Sequence, residues 1–209
     1  MTQRRAARRN EVDTALRVAA IRLMAERGYE GTSTDDIARE AGVSPRTFFN
    51  HFPTKESVAL LPEALLPELA SDALRARPLG EDVVESLAAT AMEMAAAISE
   101  LAAEAGPDEV VPLTAASIRL LFSERALRRI VLDRRAQMEE LVWSILLERG
   151  VSTEDLAARV AVSTVVAALY LGVQQWAEAD GAEPLVAVVA RCLLAAPHPS
   201  RIAAGVTTI

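Results

Sequence analysis

The sequence predicts an all-α fold. Apolar residues recur at three- and four-residue spacing along most of the chain, alternating apolar-polar runs are almost absent, and Gly and Pro punctuate the periodic segments. At 209 residues and 51% apolar content, there is material for one small and one larger helical domain. The first helix is expected over about Glu11–Arg27, where Val12, Leu16, Ala20, Leu23 and Met24 form one apolar stripe and Gly28 supplies the stop. Ahead of it, residues 1–10 carry Arg4, Arg5, Arg8 and Arg9 and are expected to form a basic arm, unfolded in the absence of a partner.

Residues 33–56, STDDIAREAGVSPRTFFNHFPTKE, spell two short helices around a tight turn. Ser33 with Asp36 three residues on is a capping signature, and Ile37, Ala38 and Ala41 make a small apolar face. Gly42 ends this helix, Val43 packs back, Ser44 caps the next helix, and Pro45 suits its first position, where no N–H is required. The second short helix then runs from about Pro45 to His51. Phe48 and Phe52 have inward spacing, while Arg46, Thr47 and Asn50 point outward. This is the layout of a helix-turn-helix reader of DNA, and arginine and asparagine are the side chains that pair with guanine and adenine edges in the major groove.

Residues 11–57 resemble the DNA-binding domain of the tetracycline-repressor family of bacterial transcription regulators. The resemblance rests on the first-helix ending AERGYEGTS, the turn IAREAGVS, the aromatic segment TFFNHF, and the Lys55-Glu56 pair that opens the following helix. It implies a three-helix DNA-binding domain followed by a larger helical ligand-binding and dimerisation domain. It also implies phosphate contacts at Ser33 and Lys55, each at a helix start where free N–H groups and the helix dipole favour an anion. His51, before the terminal aromatic, matches a position that touches the backbone, with a packed or capping imidazole as the alternative. Arg46, Thr47 and Asn50 are the expected base readers, Pro45 is available to a thymine methyl, and Ser44 stands beside them at the second cap. Where the family often carries a tyrosine whose hydroxyl meets a phosphate, this chain has Phe49, which can pack on the sugar-phosphate backbone or on the core.

Charge is segregated. The chain carries −7 in total, yet residues 1–57 hold 10 basic and 8 acidic side chains, so the end with the motif is the basic one. Beyond it, residues 58–196 form the larger domain. A connecting helix from Lys55 is expected to kink at Pro62 and Pro67, with further helices over about 81–104, 113–122, 124–149, 153–180 and 183–196, the fourth of these capped by Ser152 with Asp155. Residues 197–209 read as a frayed tail. The last two long helices are more apolar than one exposed face permits: Leu156, Val160, Val166, Leu169, Tyr170 and Val173 on one, Leu185, Val188, Val189, Leu193 and Leu194 on the next. They are expected to form a homodimer interface, as the resemblance also implies, so that two reading helices meet a palindromic operator in double-stranded DNA. The apolar run from Val160 to Val173 is shorter than the roughly 20 residues a bilayer crossing needs, and is read as a buried helix with no membrane role.

One cysteine, Cys192, excludes an intramolecular disulfide, and the N-terminus has no charged-then-apolar leader. The expected location is cytoplasmic, at the nucleoid. His51 and His198 are the only histidines and neither has metal-ligand spacing, so no metal and no cofactor are expected. No Gly-rich phosphate loop or Gly-x-Ser-x-Gly elbow is present, and no enzyme is expected. The family precedent is a small apolar effector held among the middle helices. Met92, Phe122, Met138, Trp143, Tyr170 and Gln174 are the leading candidates to hold it, with Met94, Trp176, Thr90, Ser117 and Gln137 also available. The scarcity of aromatics beyond residue 57 leans toward an aliphatic or acyl-type ligand. Repression relieved by such a ligand is the leading reading. A ligand-independent autorepressor, an architectural protein and an activator are the alternatives, since the sign of regulation depends on where an operator lies.

Overall fold

A computed structural model describes the backbone of residues 2–59, 65–103 and 110–196 and the side chains of residues 9–59, 66–100 and 115–196. Among these, ten helices and no strands are found: α1 (Thr2–Arg27), α2 (Thr34–Glu40), α3 (Pro45–His51), α4 (Lys55–Ala59), α5 (Leu65–Ala76), α6 (Val83–Ala103), α7 (Val110–Ser123), α8 (Arg125–Glu148), α9 (Leu156–Glu178) and α10 (Leu185–Ala195).

Several boundaries differ from those expected from the sequence. Helix α1 begins at Thr2, so the segment expected as an unfolded arm is its first two turns. Residues 2–10 contain no Gly or Pro and are rich in Ala, Arg and Gln, all good helix formers, so nothing stops the helix from extending. Helix α9 starts at Leu156 rather than near Thr153, because the cap is the Asp155 carboxylate, which accepts the Ala158 N–H at 2.9 Å, while Ser152 is spent on Glu154 N–H. Pro67 falls within the first turn of α5, where its missing N–H is harmless. The expected kink at Pro62, the Gly106-Pro107 break and the frayed tail lie outside the described residues.

Two apolar clusters organise the fold. The first joins Leu16, Met24, Tyr29, Ile37, Phe48, Phe52 and Val58 from the N-terminal helices with Leu120, Leu121, Leu127 and Val131 from α7 and α8. The division expected at residue 57 is therefore not a division in packing: Val58 and Ala59 are fully buried in the head's core, and α7 lies against both α1 and α4. The second cluster gathers α5 to α10 around Leu74, Ile118, Ile145, Val162, Leu185 and Val189. Phe122 and Tyr170 touch both clusters.

Helix α9 packs against α6, α7, α8 and α10. At 23 residues it exceeds the apolar run read from the sequence and is long and apolar enough, by length and composition, to cross a membrane; its buried face nevertheless forms the centre of the helical body. Gly172 allows α10 to approach at this centre, since a Cβ at that position would stand 2.8 Å from Val189 Cγ2. The α5 C-terminus is tied to α8 by Arg149, whose guanidinium donates to the carbonyls of Arg75 and Pro78, leaving fewer helix-end carbonyls without a donor.

Candidate nucleic-acid interface and effector cavity

The turn between α2 and α3 follows from its residues. Ser33 Oγ accepts the Asp36 N–H at 3.1 Å while the Asp36 carboxylate reaches back to the Ser33 N–H and hydroxyl, closing the capping box. At the other end of α2, Gly42 takes a φ of +69°, the left-handed conformation that costs a side chain about 1–2 kcal/mol. This lets the Val43 N–H reach the Ala38 carbonyl at 2.9 Å and the Gly42 N–H reach that of Arg39 at 3.1 Å, a Schellman closure. Ser44 then caps α3 through the Thr47 N–H at 3.1 Å, with Pro45 in the first turn.

Helix α3 is held by one face. Phe48 is fully buried, meets Phe49 edge-on at 5.3 Å and leans on Phe52 at 6.1 Å. Pro45, Arg46, Phe49 and Asn50 are exposed on the opposite side, with Phe49 at 53%. Of the two positions open to Phe49 from the sequence, the fold selects the outward one, beside Arg46 and Asn50. Thr47 is half-buried, and its hydroxyl is hydrogen-bonded to Ser44 Oγ at 2.8 Å, so that group serves the cap.

Several residues expected at phosphates already have partners within the chain. His51 Nδ1 pairs with Asp13 on α1, and its ring is 14% exposed. Lys55 Nζ donates to the carbonyls of Tyr29 at 2.8 Å and Thr32 at 3.1 Å, and lies 3.9 Å from the Tyr29 ring centroid. Its ammonium clamps the α1–α2 loop onto α4 and has one further N–H for a phosphate. The start of α2 carries Asp35 and Asp36, and the Ser33 hydroxyl holds the Asp36 carboxyl below its ordinary range, so this helix end already has an anion of its own.

Beneath the clamp lie contacts that the sequence reading did not single out. The Tyr29 hydroxyl donates to Glu56, keeping that carboxyl below its usual value, while burial first and then Glu56 push the phenol upward. Arg17 reaches the Val58 carbonyl at 3.3 Å and stacks over Phe52 at 5.0 Å; burial lowers its pKa, partly offset by Asp13. A usable signal existed, since Asp13 and Arg17 are one helical turn apart.

A second site lies where the two clusters meet. A cavity of about 610 Å³ opens between α5, α6, α7, α8 and α9. Phe122, Met138 and Tyr170, singled out from the sequence, line it, together with Met94 and Gln137. Met92, Trp143 and Gln174 are not among its lining residues: Met92 packs against the body's core, Trp143 lies under the Arg159 guanidinium, and Gln174 bonds Glu178 on its own helix. Trp176 and Thr90 also serve the scaffold, the indole N–H donating to the Glu183 carbonyl and the threonine hydroxyl to that of Ser86. The sequence reading missed Ile98, Ile118, Leu121, Val131, Arg134, Leu141 and Leu169 in the wall. Along α8 a signal was present: Val131, Arg134, Met138 and Leu141 recur at three- and four-residue spacing.

Comparison with known proteins agrees with this geometry. Residues 16–60 match the family model described as bacterial regulatory proteins, tetR family. The HTH-type transcriptional regulator TcmR of Streptomyces glaucescens is 33% identical over 137 residues, which is 65% of this chain. The chain spans 59% of that relative's length. Among solved structures, FadR from Bacillus subtilis in complex with stearoyl-CoA superposes with a TM-score of 0.53 at 23% identity, over 87% of this chain and 95% of that one. FadR from Thermus thermophilus in complex with lauroyl-CoA gives 0.50 at 24% identity, over 87% and 91%. At these identities the likeness is one of fold.

Proposed function

We propose that the chain, whose residues 16–60 match the model of the tetR family of bacterial regulatory proteins, is a dimeric transcriptional repressor which leaves a palindromic operator when a small, largely apolar effector fills its cavity. The observation that carries the reading is the position of the cavity. Leu121 and Val131 line it and also belong to the core shared with α1, α2, α3 and α4. A ligand that spreads α7 from α8 thus acts directly on the support of the reading helix. Only a ligand with different affinity for the two arrangements can shift them, and a cavity wall that doubles as the head's core supplies that difference.

In this reading Arg46 and Asn50 read base edges, with Pro45 and Phe49 making apolar contact beside them. Ser33, Ser44, Thr47, His51 and Lys55 orient the head through their caps and clamps, with any phosphate contact they make secondary to that role. The effector is held by Phe122, Met138 and Tyr170. The size and apolar walls of the cavity favour this ligand-responsive reading over a ligand-independent architectural protein. The fold shared with FadR proteins solved with acyl-CoA supports an aliphatic or acyl-type effector.

The second copy docks on α9 and α10. These helices bury Val166, Leu169, Leu185, Val188 and Val189 within the chain, yet still expose Leu156 at 77%, Val160 at 49%, Leu171 at 48% and Leu194 at 86%. A shallow groove edged by Val160, Ala167, Leu171 and Ala195 continues this surface. Such a patch on a helical body marks an interface, and a twofold pairing buries it symmetrically.

Selection from random duplexes, with affinities read at two salt concentrations, tests the proposal. A palindrome with a steep salt dependence is expected. Enrichment of single half-sites would refute the dimer, and an operator affinity that stays the same when the cavity is filled would refute the coupling.

A further inference from the structure

His51, at the end of the reading helix, is paired on one ring nitrogen and open on the other. Its Nδ1 meets the Asp13 carboxylate of α1 across 38 residues of sequence, and its side chain is 14% exposed. Nε2 has no hydrogen-bond partner among the described residues and reaches solvent. Helix α3 rises about 1.5 Å per residue and is about 10 Å long, close to the roughly 12 Å width of the major groove. A reading helix meets base edges with its first turns, which sets its last residue toward the groove edge, where the phosphates lie. His51 is that residue, one position after Asn50. The charged groups of the adjoining elements are engaged elsewhere. Arg17, one turn beyond Asp13 on α1, feels that carboxylate, but its guanidinium donates to the Val58 carbonyl and lies over the Phe52 ring. On α4, Lys55 is held by the carbonyls of Tyr29 and Thr32, and Glu56 by the Tyr29 hydroxyl.

A neutral imidazole carries one N–H. With Nδ1–H given to Asp13, a neutral ring shows a lone pair at Nε2, which repels a phosphate oxygen; only the imidazolium donates from both nitrogens. An imidazolium set between a carboxylate and a phosphate makes two charge-assisted hydrogen bonds, and both anions favour its charged form. Resting on the DNA-binding reading above, we propose that each head takes up one proton at His51 when it docks on its operator, with Asp13 as the residue that positions the imidazole for it. The proton comes from the buffer and ends on Nε2, facing the phosphate; no other bond is made or broken. Operator affinity therefore falls as pH rises, by up to about tenfold per pH unit for each proton taken up. Histidine suits this coupling, because its charge ordinarily changes between about pH 5 and 8.

The test is calorimetric titration of the full-length protein with a duplex enriched by selection, at about pH 7.5 in HEPES and in Tris, whose heats of ionisation differ. The difference in binding heat reads the protons exchanged. Uptake is expected for the unmodified protein, absent in His51→Gln and cut by about half or more in Asp13→Asn, whose amide keeps an acceptor oxygen but loses the charge. Asp13→Glu is expected to restore part of it. Specific binding with equal heats in the two buffers overturns the proposal and leaves the operator reading standing, whereas failure to enrich any duplex overturns the operator reading itself. Uptake that survives His51→Gln overturns the role of His51, and uptake unchanged in Asp13→Asn overturns that of Asp13. A second measurement needs no variant. The chain has two histidines, and on adding the duplex one ring is expected to take the chemical shifts of the protonated form in nuclear magnetic resonance spectra; two unchanged rings overturn the proposal. A variant that fails to fold therefore does not remove the test.

Discussion

Gly172→Ala isolates the closest helix approach in the body. A Cβ built there would lie 2.8 Å from Val189 Cγ2, 3.0 Å from Val189 Cα and 3.4 Å from Val189 N. Carbon atoms pack best at about 3.5–4.0 Å, so the shortest of these distances falls short by roughly 0.7 Å. Turning the valine side chain relieves only one of the three, because the others are backbone, and Val189 is fully buried with a β-branched side chain of few rotamers. Helix α10 has to move. Overpacking of this kind costs about 1–3 kcal/mol, and replacing a helical glycine by alanine returns about 1 kcal/mol through helix propensity. The net expectation is a loss of roughly 0–2 kcal/mol, with a larger effect on dimerisation, since α10 presents Leu194 and Ala195 to the proposed partner. Urea unfolding at fixed protein concentration reads the first quantity, and sedimentation over a dilution series reads the second. In a Val189→Ala background the penalty should shrink, because the valine methyl is gone while the main chain of residue 189 still stands in the way. A Gly172→Ala protein about 1 kcal/mol more stable than the parent, with unchanged dimerisation, would show that propensity alone operates and that the helices are not this close.

Other perturbations address the head. Arg46→Ala is expected to weaken specific sites by about 1–3 kcal/mol and relax base preference, whereas Lys55→Ala weakens all duplexes alike; binding-site selection with each variant separates the two. The clamp adds a second expectation for Lys55→Ala, a lower unfolding midpoint, because the carbonyls of Tyr29 and Thr32 lose their donor. Tyr29→Phe removes the hydroxyl that chiefly depresses the Glu56 carboxyl. Discounted for the partial exposure of that carboxyl, the loss is about 1 kcal/mol at neutral pH. A depressed carboxyl stabilises above its unfolded value of 4.5 and loses that contribution as pH falls through the lower folded value, so the gap between parent and variant should narrow in acid; urea melts at about pH 7 and about pH 3 with the same gap would contradict this. Phe48→Ala empties a fully buried site and should cost about 3–5 kcal/mol, read as a shift in unfolding midpoint.

The all-α class and the short helices of the head were legible in the order of residues alone. Their signals are local: Ser33 and Ser44 each cap a helix through an N–H three residues on, and Gly42 alone suits the left-handed turn between them. Such contacts span only a few residues, so the order of residue types contains them. The start of α9 was less legible because Ser152 and Asp155 both offer a cap and only the folded geometry chooses between them. The length of α1 was misread for the opposite reason: with no breaker in residues 2–10, a high density of arginine looked like an arm although the segment is rich in helix formers.

The remaining features depend on contacts between segments far apart in the chain. Composition and spacing cannot show that the Lys55 ammonium is held by carbonyls 23 and 26 residues away, or that His51 meets Asp13 across 38 residues. Nor could they separate Phe122, Met138 and Tyr170, which line the cavity, from Met92, Trp143 and Gln174, which do not. All six occupy helical positions of similar type, and which of them faces a void depends on how five helices fail to close on one another. That failure is a property of helix axes and packing, which no single stretch of the chain encodes.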